Sequence, residues 1–227
     1  MIGFYDYTVI LTYLSVLSAG AGIIVSLTGA GHPYIGTMFL MLCGLCDTFD
    51  GKVARSKQNR TEKEKDFGVQ IDSLSDLVAF GVLPTCIGMA LYKRDLFMGP
   101  HNVLSRVPYW FILIISALFI LCALIRLAYF NIMVEETQSD SLGDEKYYFG
   151  LPVTSTALIF PTFLLIQHFL CLNISFVYYI ILIIVGILFI LRFKLRKPNS
   201  KEIYLMVLAG AIEFLIVLAI KILMKRP

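Results

Sequence analysis

Seven predominantly apolar stretches, at about 7–28, 34–50, 70–92, 109–133, 151–172, 174–191 and 203–223, constrain what this chain can fold into more than any other feature. Each approaches the roughly 20 residues that an α-helix needs to cross a hydrocarbon core. In lipid every backbone N–H and C=O must be satisfied internally, so runs of this kind are expected as transmembrane helices. They take up most of the 227 residues and leave no room for a separate soluble domain. Charged residues make up only 15% of the chain, against about a quarter in soluble domains. The expectation is an all-α integral membrane protein, a single domain over residues 1–227. It would hold a bundle of six core transmembrane helices and an additional C-terminal helix.

The opening MIGFYDYT has no basic leader and carries Asp6, so the first span is expected to be retained. Lys and Arg set the orientation: six lie between Lys52 and Lys65 and five between Arg192 and Lys201, with none at 29–33 or 172–175. The two basic connections therefore read as cytoplasmic, with three basic residues at 93–107 and the tail Lys225–Arg226 fitting the rule less well. The net charge of +3 does not suggest nucleic-acid binding, because the basic residues flank spans and form no aromatic-interleaved platform. Attraction to anionic membrane lipids is the reading it supports. The five cysteines lie in or beside spans and read as small apolar residues, and His32, His101 and His168 stand apart from one another, which excludes a histidine metal site. Trp110 suits an interfacial anchor, and Pro108, Pro152 and Pro161 suit helix starts or kinks. Without an organelle transit signal, the expected location is the prokaryotic cytoplasmic membrane, with the functional site facing the cytoplasm.

Against this apolar background four aspartates stand out, in the segment CDTFDGKVARSKQNRTEKEKDFGVQIDSLSD. On a helix Asp47 and Asp50 (i, i+3) share a face, as do Asp72 and Asp76 (i, i+4), with Gly68 one turn earlier on the same stripe. The two pairs sit at the same end of consecutive antiparallel helices, so they are expected to converge. Ionisable groups in membrane segments are costly and mark function. Four carboxylates in one place repel strongly at low dielectric, and Lys52 and Arg55 are too few to neutralise them together with an anionic substrate. A bound divalent metal resolves the problem, and hard oxygen donors suit Mg²⁺ or Mn²⁺, which bridge carboxylates to phosphates. Gly51, Ala54 and Gly68 keep the helix faces bare enough to admit a ligand, and the planar fork of Arg55 suits a phosphate.

At these residues the chain resembles the CDP-alcohol phosphotransferase family, whose signature is D-x-x-D-G-x-x-A-R, a spacer, then G-x-x-x-D-x-x-x-D. All eight fixed positions are present as Asp47, Asp50, Gly51, Ala54, Arg55, Gly68, Asp72 and Asp76. The spacer SKQNRTEKEKDF is twelve residues long where about eight is usual. The resemblance implies a six-helix core, often in a homodimer, that transfers a substituted phosphate from a CDP-linked donor to an alcohol with loss of CMP. It also implies that Asp47, Asp50 and Asp72 hold two divalent ions, with Asp76 sharing a metal contact or acting as general base. Gly51, Ala54, Arg55 and Gly68 would contact the CDP portion.

Within the family, DSLSD followed by LVAFGVLP resembles the branch that moves a phosphatidyl group from CDP-diacylglycerol to L-serine. IRLAYFN (125–131) resembles that branch's R-L-A-R-F-N with Tyr129 in place of the second arginine, and FGLP (149–152) resembles its G-L-P turn. Arg126, inside the fourth span, needs a partner. Arg126 and Asn131 read as a substrate-anion site, weighed against simple snorkelling of the arginine to the interface. Two rivals are weighed: a sister enzyme whose acceptor is an inositol phosphate, a glycerol phosphate or a sugar acid, and a cation carrier. A phosphate-bearing acceptor calls for more basic residues than Arg126, and a carrier calls for polar residues along the whole membrane path.

Overall fold

The computed structural model describes residues 3, 6–29, 31–57, 59–98, 103–139, 147–170, 175–196 and 200–223. His101, Cys171, Lys225 and Arg226 lie outside them, as do residues 140–146, including Lys146, in the acidic connection after the fourth span. Helices occupy all seven expected stretches: α1 (Ile10–Leu27), α2 (Pro33–Ser56), α3 (Glu62–Asp76) continuing into α4 (Leu83–Met98), α5 (Tyr109–Ser139), α6 (Thr156–Phe169), α7 (Ser175–Ile190) and α8 (Ser200–Leu223). Among the described residues three helical stretches are long and apolar enough to cross a membrane, Tyr7–Leu27, Glu62–Phe97 and Tyr109–Met133. Val153–Phe169, Ser175–Ile190 and Tyr204–Ala219 are apolar but shorter. Leu17, Ile24, Leu118, Leu121, Ile183 and Ile187 point outward from their helices, the apolar exterior that a lipid surround accommodates.

The expected second and third spans both run further than their apolar stretches. α2 continues past Asp50 to Ser56 because its charged last turns follow the helix out of the apolar layer, with Arg55 in its final turn. α3 starts at Glu62, where Thr61 accepts from the Glu64 backbone N–H and the Glu64 carboxylate accepts in return from that of Thr61, a reciprocal cap. Between α3 and α4 the rod widens into a π-helical turn at Leu77–Val82. Pro84 explains it: proline has no N–H to donate into the helix and its ring crowds the carbonyl four residues back. The Thr85 hydroxyl donates to the Val82 carbonyl (2.7 Å), and the Tyr178 hydroxyl of α7 donates to the carbonyl of Pro84 (2.8 Å).

Phe80, Leu83, Ile87 and Leu91 of this rod form the centre of the core with Leu40 of α2, Phe119 of α5, Phe160 and Leu164 of α6, and Tyr178 and Leu182 of α7. In lipid, helices associate through close packing rather than water exclusion, and small residues permit it. A Cβ on Gly22 would stand 2.7 Å from the Cβ of Phe39, joining α1 to α2, and one on Gly44 would stand 2.6 Å from the Cβ of Ala157, joining α2 to α6. α8 packs on α6, with Val217 buried against Leu165. There the Thr162 hydroxyl donates to Glu213 (2.6 Å), which gives this acid of the last apolar helix a partner on a neighbouring helix.

The described chain departs from an all-helical fold in one place. β1 (Tyr147–Phe149) and β2 (Lys194–Arg196) pair antiparallel, Tyr147 opposite Arg196 and Phe149 opposite Lys194. Two connections that emerge at the same end of the bundle satisfy their backbone groups on each other. Gly150 follows at φ +76°, a conformation that suits glycine, and donates to the Phe193 carbonyl at 2.8 Å.

Candidate functional site

α2 and α3 are consecutive helices joined by residues 57–61, and the chain turns back between them so that Asp47 and Asp50 of α2 face Asp72 and Asp76 in the last turns of α3. This brings the four aspartates together. One carboxylate oxygen from each of Asp47, Asp50 and Asp72 lies within 4.8 Å of the others. Asp50 is also within side-chain hydrogen-bonding reach of Asp72, and Asp47 of Asp76. Asp50 and Asp76 are buried, and Asp47 and Asp72 half-buried. Asp76 lies one helical turn deeper than Asp72, just before the π turn.

No described Lys or Arg forms an ion pair with any of the four, the ion pairs that occur being Lys57 with Asp6 and Glu64, and Lys65 with Glu62. A cluster of this charge calls for a cation. Oxygens held at about 2.1 Å around an octahedral Mg²⁺ are separated by about 3.0–4.2 Å, so the set would close on an ion through small side-chain movements. The donor set therefore fits a hard divalent cation.

The glycine and alanine positions differ in their surroundings. Gly51 and Ala54 are half-buried on α2 while Arg55 is exposed, its guanidinium 3.4 Å from where a Gly51 Cβ would stand. Lys52 turns away, over the rings of Phe49 (5.4 Å) and Tyr204 (5.2 Å), which seats the start of α8 beside the end of α2. Both basic connections thus emerge at the aspartate end of the bundle.

Gly68 does not face open space. The guanidinium of Arg60 lies on it, Nη2 being 2.6 Å from an ideal Cβ, and Nη2 also donates to the Glu64 carbonyl at 2.9 Å. Sequence reading passed over Arg60, because its place depends on the path of the spacer. That path is pinned by Lys57, whose ammonium donates to Asp6 (2.7 Å) and Glu64 (3.1 Å). Hydrogen bonding to Lys57 holds the Asp6 carboxyl below its usual range, and Asp6 and Glu64 together hold Lys57 above its own.

α5 supplies the remaining candidates. Arg126 is buried, 6% exposed, yet its guanidinium does not snorkel away: Nε donates to the Leu151 carbonyl (3.1 Å) and the group lies over the Phe130 ring at 5.3 Å. The G-L-P turn is thus tied directly to α5. The amide of Asn131 donates to the hydroxyl of Ser73 at 2.8 Å, which fastens α5 to the residue next to Asp72. Sequence reading did not single out Ser73, since only the α3–α5 juxtaposition gives it a role. Arg192, at the end of α7, lies 5.2 Å from the ring of Tyr129, so a guanidinium from another element stands beside the position where the resembled motif has its second arginine.

The described residues thus form a largely helical bundle in which carboxylates from two consecutive helices converge. The chain matches the model of the CDP-alcohol phosphatidyltransferase family over residues 8–191, and it belongs to that family. It is 38% identical over 133 residues to the CDP-diacylglycerol–serine O-phosphatidyltransferase of Saccharomyces cerevisiae, covering 58% of this chain and 42% of that protein. It is 30% identical over 178 residues to the Helicobacter pylori protein of the same name, covering 77% and 65%. With the archaetidylserine synthase of Methanothermobacter thermautotrophicus the identity is 29% over 167 residues, covering 72% and 61%. The chain thus spans from 42% to 65% of the length of these relatives. No solved structure matches it.

Proposed function

We propose that the chain transfers a phosphatidyl group from CDP-diacylglycerol to L-serine, giving phosphatidylserine and CMP, as one membrane domain spanning residues 1–227. The convergence of Asp47, Asp50 and Asp72 at the junction of α2 and α3 carries the reading, because phosphoryl transfer between two anionic partners needs that concentration of metal-binding oxygen. Relatives that bear the serine-transferase name support the choice of acceptor. Two Mg²⁺ or Mn²⁺ ions bound by Asp47, Asp50, Asp72 and Asp76 would offset charge on the diphosphate and on the departing CMP.

The chain's own residues do the rest. Gly51 and Ala54 hold the CDP portion against bare backbone, Gly68 contacts it on the face that Arg60 covers, and Arg55 adds a guanidinium beside it. Asp76, buried one turn below Asp72, accepts the proton of the serine hydroxyl as it attacks phosphorus. Arg126 pairs with the serine carboxylate, and Asn131, through Ser73, fixes α5 at that side. The protein works as a homodimer of six core membrane helices per chain plus the last helix, in a prokaryotic cytoplasmic membrane with its carboxylates toward the cytoplasm.

The test is CMP release from CDP-diacylglycerol by the purified protein in detergent with Mn²⁺ or Mg²⁺. L-serine is compared with inositol phosphate, glycerol 3-phosphate, a sugar acid and no acceptor. Serine-stimulated release that disappears in Asp72→Asn supports the reading. Preference for another alcohol moves the acceptor assignment, and metal-dependent ion flux without CMP release favours the carrier.

A further inference from the structure

The spacer between Arg55 and Gly68 is longer than the signature requires, and the structure shows its path at either end. Lys57 anchors the end of α2 to Asp6 and to the first turn of α3, and Thr61 and Glu64 cap that turn. Arg60 lies against α3, its guanidinium over Glu64 and Gly68, the first two positions of the stripe Glu64, Gly68, Asp72, Asp76. These residues follow one another at i, i+4 and share a face. Gly68 precedes Asp72 by one turn, about 6 Å of helix rise, so the guanidinium lies within a turn or so of the metal-binding carboxylates.

Two observations indicate that this arginine has more to do than cap a helix. Its Nη2 bonds the Glu64 carbonyl, while its Nε is buried with no hydrogen-bond partner, a costly condition for a guanidinium. In addition, the guanidinium rests directly against Gly68, where a Cβ would stand 2.6 Å from Nη2 and would have to displace it. The glycine of the signature is here the seat of a cation. A ligand approaching Gly68 meets a planar donor fork rather than bare backbone.

We propose that Arg60 is a substrate-binding residue that contacts the diphosphate of the nucleotide-linked donor, supplied by the extended spacer. The inference rests on the reading of the carboxylate cluster as a CDP-binding phosphotransferase site. The Arg60 guanidinium lies against Gly68, one turn from Asp72, and the diphosphate is the anion which that cluster and its metals would hold. A fixed guanidinium adds charge-assisted hydrogen bonds to such an anion without entering the metal shell.

The experiment measures CDP binding by calorimetry and steady-state kinetics on the full chain in detergent with Mn²⁺, for wild type, Arg60→Gln and Arg60→Lys. Loss of a charge-assisted bond predicts a Kd for CDP and a KM for CDP-diacylglycerol raised about tenfold in Arg60→Gln. The KM for serine should stay within about twofold, and Arg60→Lys should recover part of the loss because it keeps the charge but not the fork. Wild type that binds CDP, with an Arg60→Gln variant that melts lower but binds CDP equally well, reduces Arg60 to a helix cap and overturns the proposal alone. If the glutamine variant does not fold, Arg60→Met, which keeps the stem without the charge, decides the same question: a Kd for CDP unchanged from wild type overturns the proposal, and a rise of about tenfold supports it. Wild type that binds no CDP in the presence of metal overturns the underlying function and this inference with it.

Discussion

Gly44→Ala puts the link between helix packing and the carboxylate cluster under direct strain. Gly44 lies on α2 one turn before Asp47, where α2 meets α6, and its added Cβ would stand 2.6 Å from the Cβ of Ala157. Carbon atoms in contact sit about 3.5–4.0 Å apart, so the helices must separate locally by about 1 Å. Such overpacking costs about 1–3 kcal/mol, and the better helix propensity of alanine returns about 0.8–1.0 kcal/mol. The net loss of stability is therefore small, about 0–2 kcal/mol. Activity should respond far more. Asp47 and Asp50 move with α2 while Asp72 and Asp76 stay with α3, and a 1 Å misplacement of reacting groups costs up to about 100-fold in rate. CMP release from CDP-diacylglycerol with L-serine, read beside a thermal melt, should show a rate loss of about 10- to 100-fold with a modest fall in Tm. Ala157→Gly in the same chain removes the opposing Cβ and should restore most of the rate. Gly44→Ala at wild-type rate would refute the claim that the α2–α6 contact sets the carboxylate geometry.

Other outcomes can be stated briefly. Chelator should lower the Tm and added Mn²⁺ raise it in wild type, by a mass-action term of about 2.7 kcal/mol at a hundredfold excess over Kd, and Asp72→Asn should abolish the response. Asn131→Ala removes the bond to Ser73, one that contributes about 1 kcal/mol, and should raise KM for the acceptor more than for CDP-diacylglycerol. Asp6→Asn should lower Tm at neutral pH. Lys57 depresses the folded pKa of Asp6, so the stabilising contribution is present above the unfolded carboxylate pKa and fades as pH falls through the lowered value. The Tm gap between wild type and Asp6→Asn should thus hold from pH 8 to 5 and close below about pH 4, and a gap that persists in acid would count against the ion pair.

The four aspartates were legible because their spacing encodes a shared helical face and needs no knowledge of loops. Asp50 and Asp72 meet across two helices for the same reason: consecutive antiparallel spans leave them nowhere else to go. Arg126 was legible as a buried charge, but its bond to the Leu151 carbonyl was not, since a backbone acceptor leaves no residue signature. Arg60 was hidden because its place depends on Lys57 reaching both Asp6 and Glu64, contacts that neither helical periodicity nor charge counting reveals. The π turn lay in plain sight as Pro84, yet a proline in an apolar run predicts a disturbance without specifying its form.

The continuous rod from Glu62 to Met98 has a further consequence for where chemistry can happen. At 1.5 Å per residue, the rise from Asp76 to Tyr92, where the apolar run ends before Lys93, is about 24 Å, most of the thickness of a bilayer's hydrocarbon layer. If that stretch spans the layer, the carboxylates sit at its rim, level with lipid headgroups, and the turns from Glu62 to Gly68 stand in the aqueous margin. Under the proposed function, a nucleotide-activated lipid would meet a water-borne alcohol there with its acyl chains still in the membrane. Donor and product would then enter and leave sideways along the plane of the bilayer, and only the alcohol and CMP would cross into water.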